Sequence, residues 1–106
     1  MKLIAVGVER YHTDLVRAEK TYYMPDGTSE VVPAEAIGGI APAAFSAEGV
    51  QAAVRAIQTG AITYKVFCER IVAAGCRGCF VSLAGRRAVY YGRTIDCHVE
   101  WFPSSR

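Results

Sequence analysis

The chain has 106 residues, 52% of them hydrophobic, and its twelve basic and ten acidic residues leave a formal net charge of +2. That length suits one domain burying roughly 60–65% of its unfolded surface, and the scattered, nearly balanced charge excludes a basic nucleic-acid footprint. No apolar run is long enough to span a bilayer, and Met1–Val8 is too short for a signal peptide, so a cytoplasmic protein with neither a membrane nor a nucleic-acid partner is expected.

In chain order, Met1–Val6 either forms the end of a helix stopped by Gly7 or begins a strand. Tyr11–Leu15 and Lys20–Met24 read as strands around a loop, and Met24-Pro25-Asp26-Gly27-Thr28 is a turn leading to a third strand over Ser29–Val32. Residues 34–46 are a Pro/Ala/Gly-rich connector, whose Gly38-Gly39 lacks the spacing of a phosphate-cradling loop. Ser46 is placed to cap a helix over about Ala47–Thr59, with Val50, Val54 and Ile57 on one face and Gly60 ending it. Thr63 is placed to cap a second helix over about Tyr64–Ala74, striped by Val66, Phe67, Ile71 and Val72. Strands Cys79–Ala84 and Arg87–Gly92 then flank Gly85-Arg86, which suits a two-residue type II′ hairpin placing Val81 opposite Tyr90. Trp101 and Phe102 are expected to finish the core.

Two stretches of the chain match each other. Lys2–Gly7 matches Arg70–Gly75, Leu15 matches Leu83, Tyr22-Tyr23 matches Tyr90-Tyr91, and Glu30-Val31-Val32-Pro33 matches Glu100-Trp101-Phe102-Pro103. The pattern predicts a single α+β domain over residues 1–106, made of two related antiparallel β-meander units with two helices between them packing on the sheets. The first unit covers 2–33, the connector 34–46, and the second unit with its helices 47–103. The spacing of the match grows by two residues before the Glu-x-x-Pro end. Assigning those two residues to a turn sets Tyr22 across from Glu30 and Tyr90 across from Glu100. The first unit has no room for helices of its own, so either the duplication copied only a helix end, or the chain begins inside an ancestral first helix. The second alternative leaves a sheet face without cover and predicts a homo-oligomer.

Several residue groups carry possible chemistry. Cys76-Arg77-Gly78-Cys79 has the CxxC spacing of a zinc or redox site, which Cys68, Cys97 and His98 could complete. The repeat favours buried structural thiols, because Cys76 and Cys79 stand where the first unit has Val8 and Tyr11. No metal and no cofactor is assigned. The Tyr22/Glu30 and Tyr90/Glu100 pairs read as rim packing or, alternatively, as two related ligand contacts; a glutamate there could serve as a base, yet no second catalytic group accompanies it. Strand parity puts His12, Asp14, Thr21 and Tyr23 together on the other face of the first sheet, where Asp14 could orient the imidazole and Tyr23 complete a polar pocket. No nucleophile stands beside them. Their counterparts Phe80, Ser82, Val89 and Tyr91 are mostly apolar and read as core.

The stretches GVERYHTDLVRAEKTYYMPDGTSEVVP and FCERIVAAGCRGCFVSLAGRRAVYYGRTIDCHVEWFP resemble the two halves of the YbcV-type family of uncharacterised bacterial and prophage-encoded proteins, whose members are sometimes labelled phage envelope proteins. The resemblance covers nearly the whole chain and implies no established activity and no catalytic residue. Two functions are therefore carried forward. The first is a non-enzymatic binding or interaction module, an accessory protein of a prophage or mobile element that self-associates through β edges or the under-covered first sheet. The alternative is a small-ligand binder or enzyme with a cleft between the two repeat units, using His12, Asp14, Tyr23 or the Tyr–Glu pairs. A second copy of the chain is the expected partner, with an unidentified protein or small molecule beside it.

Overall fold

The computed structural model describes residues 7–38 and 40–103, so Met1–Val6, expected as a helix end or the start of a strand, lies outside the described residues. Six strands and two helices follow one another: β1 Arg10–Asp14, β2 Glu19–Tyr23, β3 Ser29–Pro33, α1 Ala47–Gln58, α2 Tyr64–Ala73, β4 Cys76–Ser82, β5 Arg87–Gly92 and β6 Cys97–Trp101. Every neighbouring pair is antiparallel, in the order β3-β2-β1-β4-β5-β6. The architecture is α+β, and the two meanders form one continuous sheet rather than two, because β1 and β4 pair.

Both helices start where a hydroxyl satisfies a free amide. Ser46 Oγ accepts from Gly49 N at 3.0 Å, and Thr63 Oγ1 accepts from Val66 N at 3.3 Å. On α1 the buried Val50, Ala53 and Val54 fall at helical spacing, and on α2 Phe67, Cys68, Ile71 and Val72 form the buried stripe. The two helices pack on each other and on one face of the sheet, α1 against β6 and α2 against β4. Their apolar faces meet Cys79, Val81, Ala88 and Tyr90, which form the sheet side of the core.

The β4–β5 hairpin differs from the two-residue turn expected at Gly85-Arg86. Ser82 pairs with Arg87 around the loop Leu83–Arg86, and Arg86 closes it in the left-handed region at φ 54. The β1–β2 hairpin is built alike, with Asp14 opposite Glu19 and Ala18 at φ 58. In each, the last residue of the first strand caps the loop: Asp14 Oδ1 accepts from Arg17 N at 3.0 Å, and Ser82 Oγ accepts from Gly85 N at 2.8 Å. A side-chain cap satisfies a loop amide locally and opens the hairpin to four residues. Tyr90 consequently faces Cys79, and Val81 faces Ala88.

The extra two residues of the second unit do not sit in a turn. Tyr23 pairs with Ser29 and Tyr91 with Cys97, so the two following turns have equal length. Tyr22 does lie across from Glu30, but Tyr90 lies across from His98, and Glu100 pairs with Ala88. A slip of two residues preserves the face, so Glu100 still points toward the helices, one pair further along. Trp101 also departs from expectation: it is 60% exposed on the helix-free face, while Phe102 packs against the core. Phe80, Ser82, Val89 and Tyr91 share that open face instead of entering the core, because both helices lie on the other side.

Gly75 links α2 to β4 at φ 94, and a Cβ there would run into the Ala44 carbonyl oxygen and reach 2.9 Å from Phe45 Cα. Gly27 has φ 90 but open space around it. Gly75→Ala is therefore expected to cost about 3 kcal/mol and Gly27→Ala only about 1 kcal/mol, read from urea unfolding midpoints of the two variants.

Candidate functional site

Strand alternation divides the candidate residues between two faces of the sheet. His12, Asp14 and Tyr23 lie on the helix-free face; Tyr22, Glu30, Tyr90 and Glu100 lie on the helix side. The seven residues do not converge on one point.

On the helix-free face His12 stands directly opposite Phe80, its own counterpart in the sequence match, with ring centroids 4.4 Å apart. Its Nε2 lies 2.6 Å from the Tyr91 hydroxyl, and the two rings are parallel within 8°. Burial, helped by the nearby Asp14 carboxylate, pushes the Tyr91 phenol up to about 12. It stays protonated at neutral pH, so its O–H can donate to a neutral imidazole. Gly78 makes this possible, since a Cβ there would collide with the Tyr91 hydroxyl. Asp14 does not orient His12; its carboxylate accepts from Val16 N and Arg17 N. Tyr23 carries the Arg10 guanidinium 4.4 Å above its ring, and Trp101 carries that of Arg87 at 4.3 Å. Tyr91 and Gly78 are the site residues that sequence inspection misses, because their placement depends on β4 lying between β1 and β5.

On the helix side the two Tyr–Glu pairs have different surroundings. Tyr22 and the exposed Glu30 line a shallow hollow with Met24 and Val8. Glu100 is only 8% exposed and is held by two side chains: Arg55 Nη1 donates to Oε1 at 3.0 Å and His98 Nε2 to Oε2 at 2.7 Å. Burial raises its pKa, but the hydrogen bonds from His98 and Arg55 outweigh that and hold it below the usual carboxylate range. Burial pushes the Cys79 thiol up to about 12 and Cys76 up to about 11, so both stay protonated near neutral pH and are poor nucleophiles. Cys68, Cys76 and Cys79 are buried free thiols and Cys97 is exposed. Among the described residues, no three His, Cys, Asp or Glu side chains gather closely enough to hold a metal ion, and no helix is long and apolar enough to cross a membrane.

A third feature lies over the first meander, a cavity of about 300 Å³ entered by Lys20 and bordered by Tyr64 and Lys65 from the first turn of α2.

Residues 1–99 match the family described as "Protein of unknown function (DUF1398)". The chain belongs to that family. No curated protein matches the chain.

The most strongly held polar cluster in this DUF1398 protein is therefore Glu100 with Arg55 and His98, and its charge state makes stability depend on pH. A carboxylate whose folded pKa is depressed contributes stability above its unfolded value, about 4.3, and loses it as pH falls through the folded value. Urea unfolding from pH 7 down to pH 3 is expected to show a steeper loss below about pH 4.3 in the wild type than in Glu100→Gln. Equal slopes would show that the carboxylate is not stabilised by the fold.

Proposed function

We propose that this chain is a non-enzymatic self-association module that buries its helix-free sheet face against a second copy. The observation that carries this reading is a row of side chains crossing all six strands in register: Val31, Thr21, His12, Phe80, Val89 and Val99. Val31 is 56% exposed, Phe80 44% and Val99 40%. Six strands about 4.8 Å apart and five residues rising about 3.3 Å each give a face of roughly 24 by 17 Å. The exposed apolar residues of the row occupy the middle of that face between charged flanks, the kind of surface at which proteins associate.

Charge selects the arrangement. Arg10 and Arg87 flank the row on one side, Asp14 and Glu19 on the other, with Arg10 also paired to Glu9 and Glu19 to Arg17. A two-fold axis along the row sets the basic flank of one copy over the acidic flank of its partner, whereas an axis along the strands opposes arginine to arginine. The first geometry is the one proposed. Support for a non-enzymatic role comes from the structural uses of the polar groups here, with Asp14 capping a loop and His12 bonded to Tyr91. The resemblance to YbcV-type proteins supports placing the module among accessory proteins of prophages or mobile elements, and buried free thiols suit action in a reducing cytoplasm. Matching hairpins and reciprocal pairing support reading the meanders as copies of one unit within a single domain.

Sedimentation velocity tests this. The wild type is expected to sediment as a dimer at micromolar concentration, and Phe80→Asp as a monomer with an unchanged circular dichroism spectrum. A wild type that stays monomeric at the highest soluble concentration overturns the reading.

A further inference from the structure

The helices lie mainly over β4–β6, so above β1–β3 the helix side is walled by residues 34–37 and the first turn of α2. The cavity left there has a volume of about 300 Å³, the small end of the ~300–1,000 Å³ range of small-molecule pockets. Leu15, Val32, Pro33 and Ile37 give it apolar walls.

Lys20, the second residue of β2, enters this space. It lies between Thr13 of β1 and Val32 of β3, pointing toward the helices and only partly exposed. Its ammonium sits 4.9 Å from the centroid of the Tyr64 ring and 6.0 Å from that of Tyr11. Among the described residues no carboxylate forms an ion pair with it. An ammonium drawn partly out of water regains some energy from aromatic faces but remains short of an anion. Lys65 borders the same cavity, and the buried Thr13 lining it has a hydroxyl without a hydrogen-bond partner. Of the two carboxylates on the rim, Asp14 is bonded to its own loop and Glu35 is exposed.

We propose that this cavity binds a small monocarboxylate with a flat apolar body, an aromatic acid, whose carboxylate pairs with Lys20 while its ring lies against Tyr64 and the apolar wall. The apolar walls suit a flat ring, and one inner lysine with one rim lysine suits a single negative charge better than a phosphate. The site lies across the sheet from the self-association row and meets its charged flank only at Asp14 on the cavity rim, so substitutions at Lys20 and Phe80 test the two proposals separately.

Amide NMR shifts of the full chain, titrated with benzoate, benzamide and inorganic phosphate, test this. Benzoate alone is expected to give saturable shifts around Thr13, Lys20 and Val32. Its affinity is expected to fall about tenfold or more in Lys20→Met and to be largely kept in Lys20→Arg. Lys65→Ala, a change on the exposed start of α2 that does not threaten folding, is expected to weaken binding about threefold. Benzamide binding as tightly as benzoate overturns the proposal, as does phosphate displacing benzoate, or no saturable shift at millimolar benzoate. Phe80→Asp, on the other face, is expected to keep benzoate binding whatever it does to association.

Discussion

The antiparallel ladder between β1 and β4 is the constraint on which the rest depends. It is the one strand pairing not made through a short turn, so its two strands are brought together across the connector and both helices. Such a long closure is entropically expensive and is offset only when the core forms with it. Here Tyr11 and Thr13 pair with Val81 and Cys79, and the helices pack down on that same seam. Two reciprocal bonds extend the ladder at its ends, Leu15 N donating to Arg77 O at 3.0 Å and Leu83 N to Glu9 O at 3.1 Å. Because side chains alternate, a one-residue slip in this ladder would send the whole first meander's inner set to the open face.

The same ladder explains how much could be read from the chain. The helices were legible because their information is local: Ser46 and Thr63 precede apolar residues at helical spacing, and the structure places both caps there. The turn at Pro25-Asp26-Gly27 was legible for the same reason, with Asp26 accepting from Thr28 N at 2.9 Å. Gly85-Arg86 misleads because a glycine beside two strands suits a tight hairpin, whereas the Ser82 hydroxyl decides the loop instead. The Glu-x-x-Pro match misleads in another way, since it keeps the face while shifting the partner, leaving Glu100 to Arg55 and His98.

Site residues followed the same division. Parity alone put His12, Asp14, Thr21 and Tyr23 on one face, and they are there. The partner His12 takes, Tyr91, comes from β5 by way of β4, so no local pattern could announce it. Lys20 shares parity with Tyr22 and so faces the helices, but its want of a carboxylate emerges only when β1, β3 and α2 are in place around it.

The proposed self-association uses the face rather than the strand edges because of what borders the sheet. The outer strand β3 ends at Pro33, which has no N–H to offer a neighbour. Beyond β6, Pro103 again lacks a donor. Each edge strand is thus only five residues long with a proline at or just past its end, and short edges with proline limit edge pairing in natural sheets. The helix-free face has no such protection: four of the six residues in its row, Val31, Phe80, Val89 and Val99, are apolar, and the groups beside it present both charge signs. Burying that row returns free energy in proportion to the apolar area removed from water, about 25 cal/mol per Å², whereas an added edge strand would gain mainly hydrogen bonds already made with water.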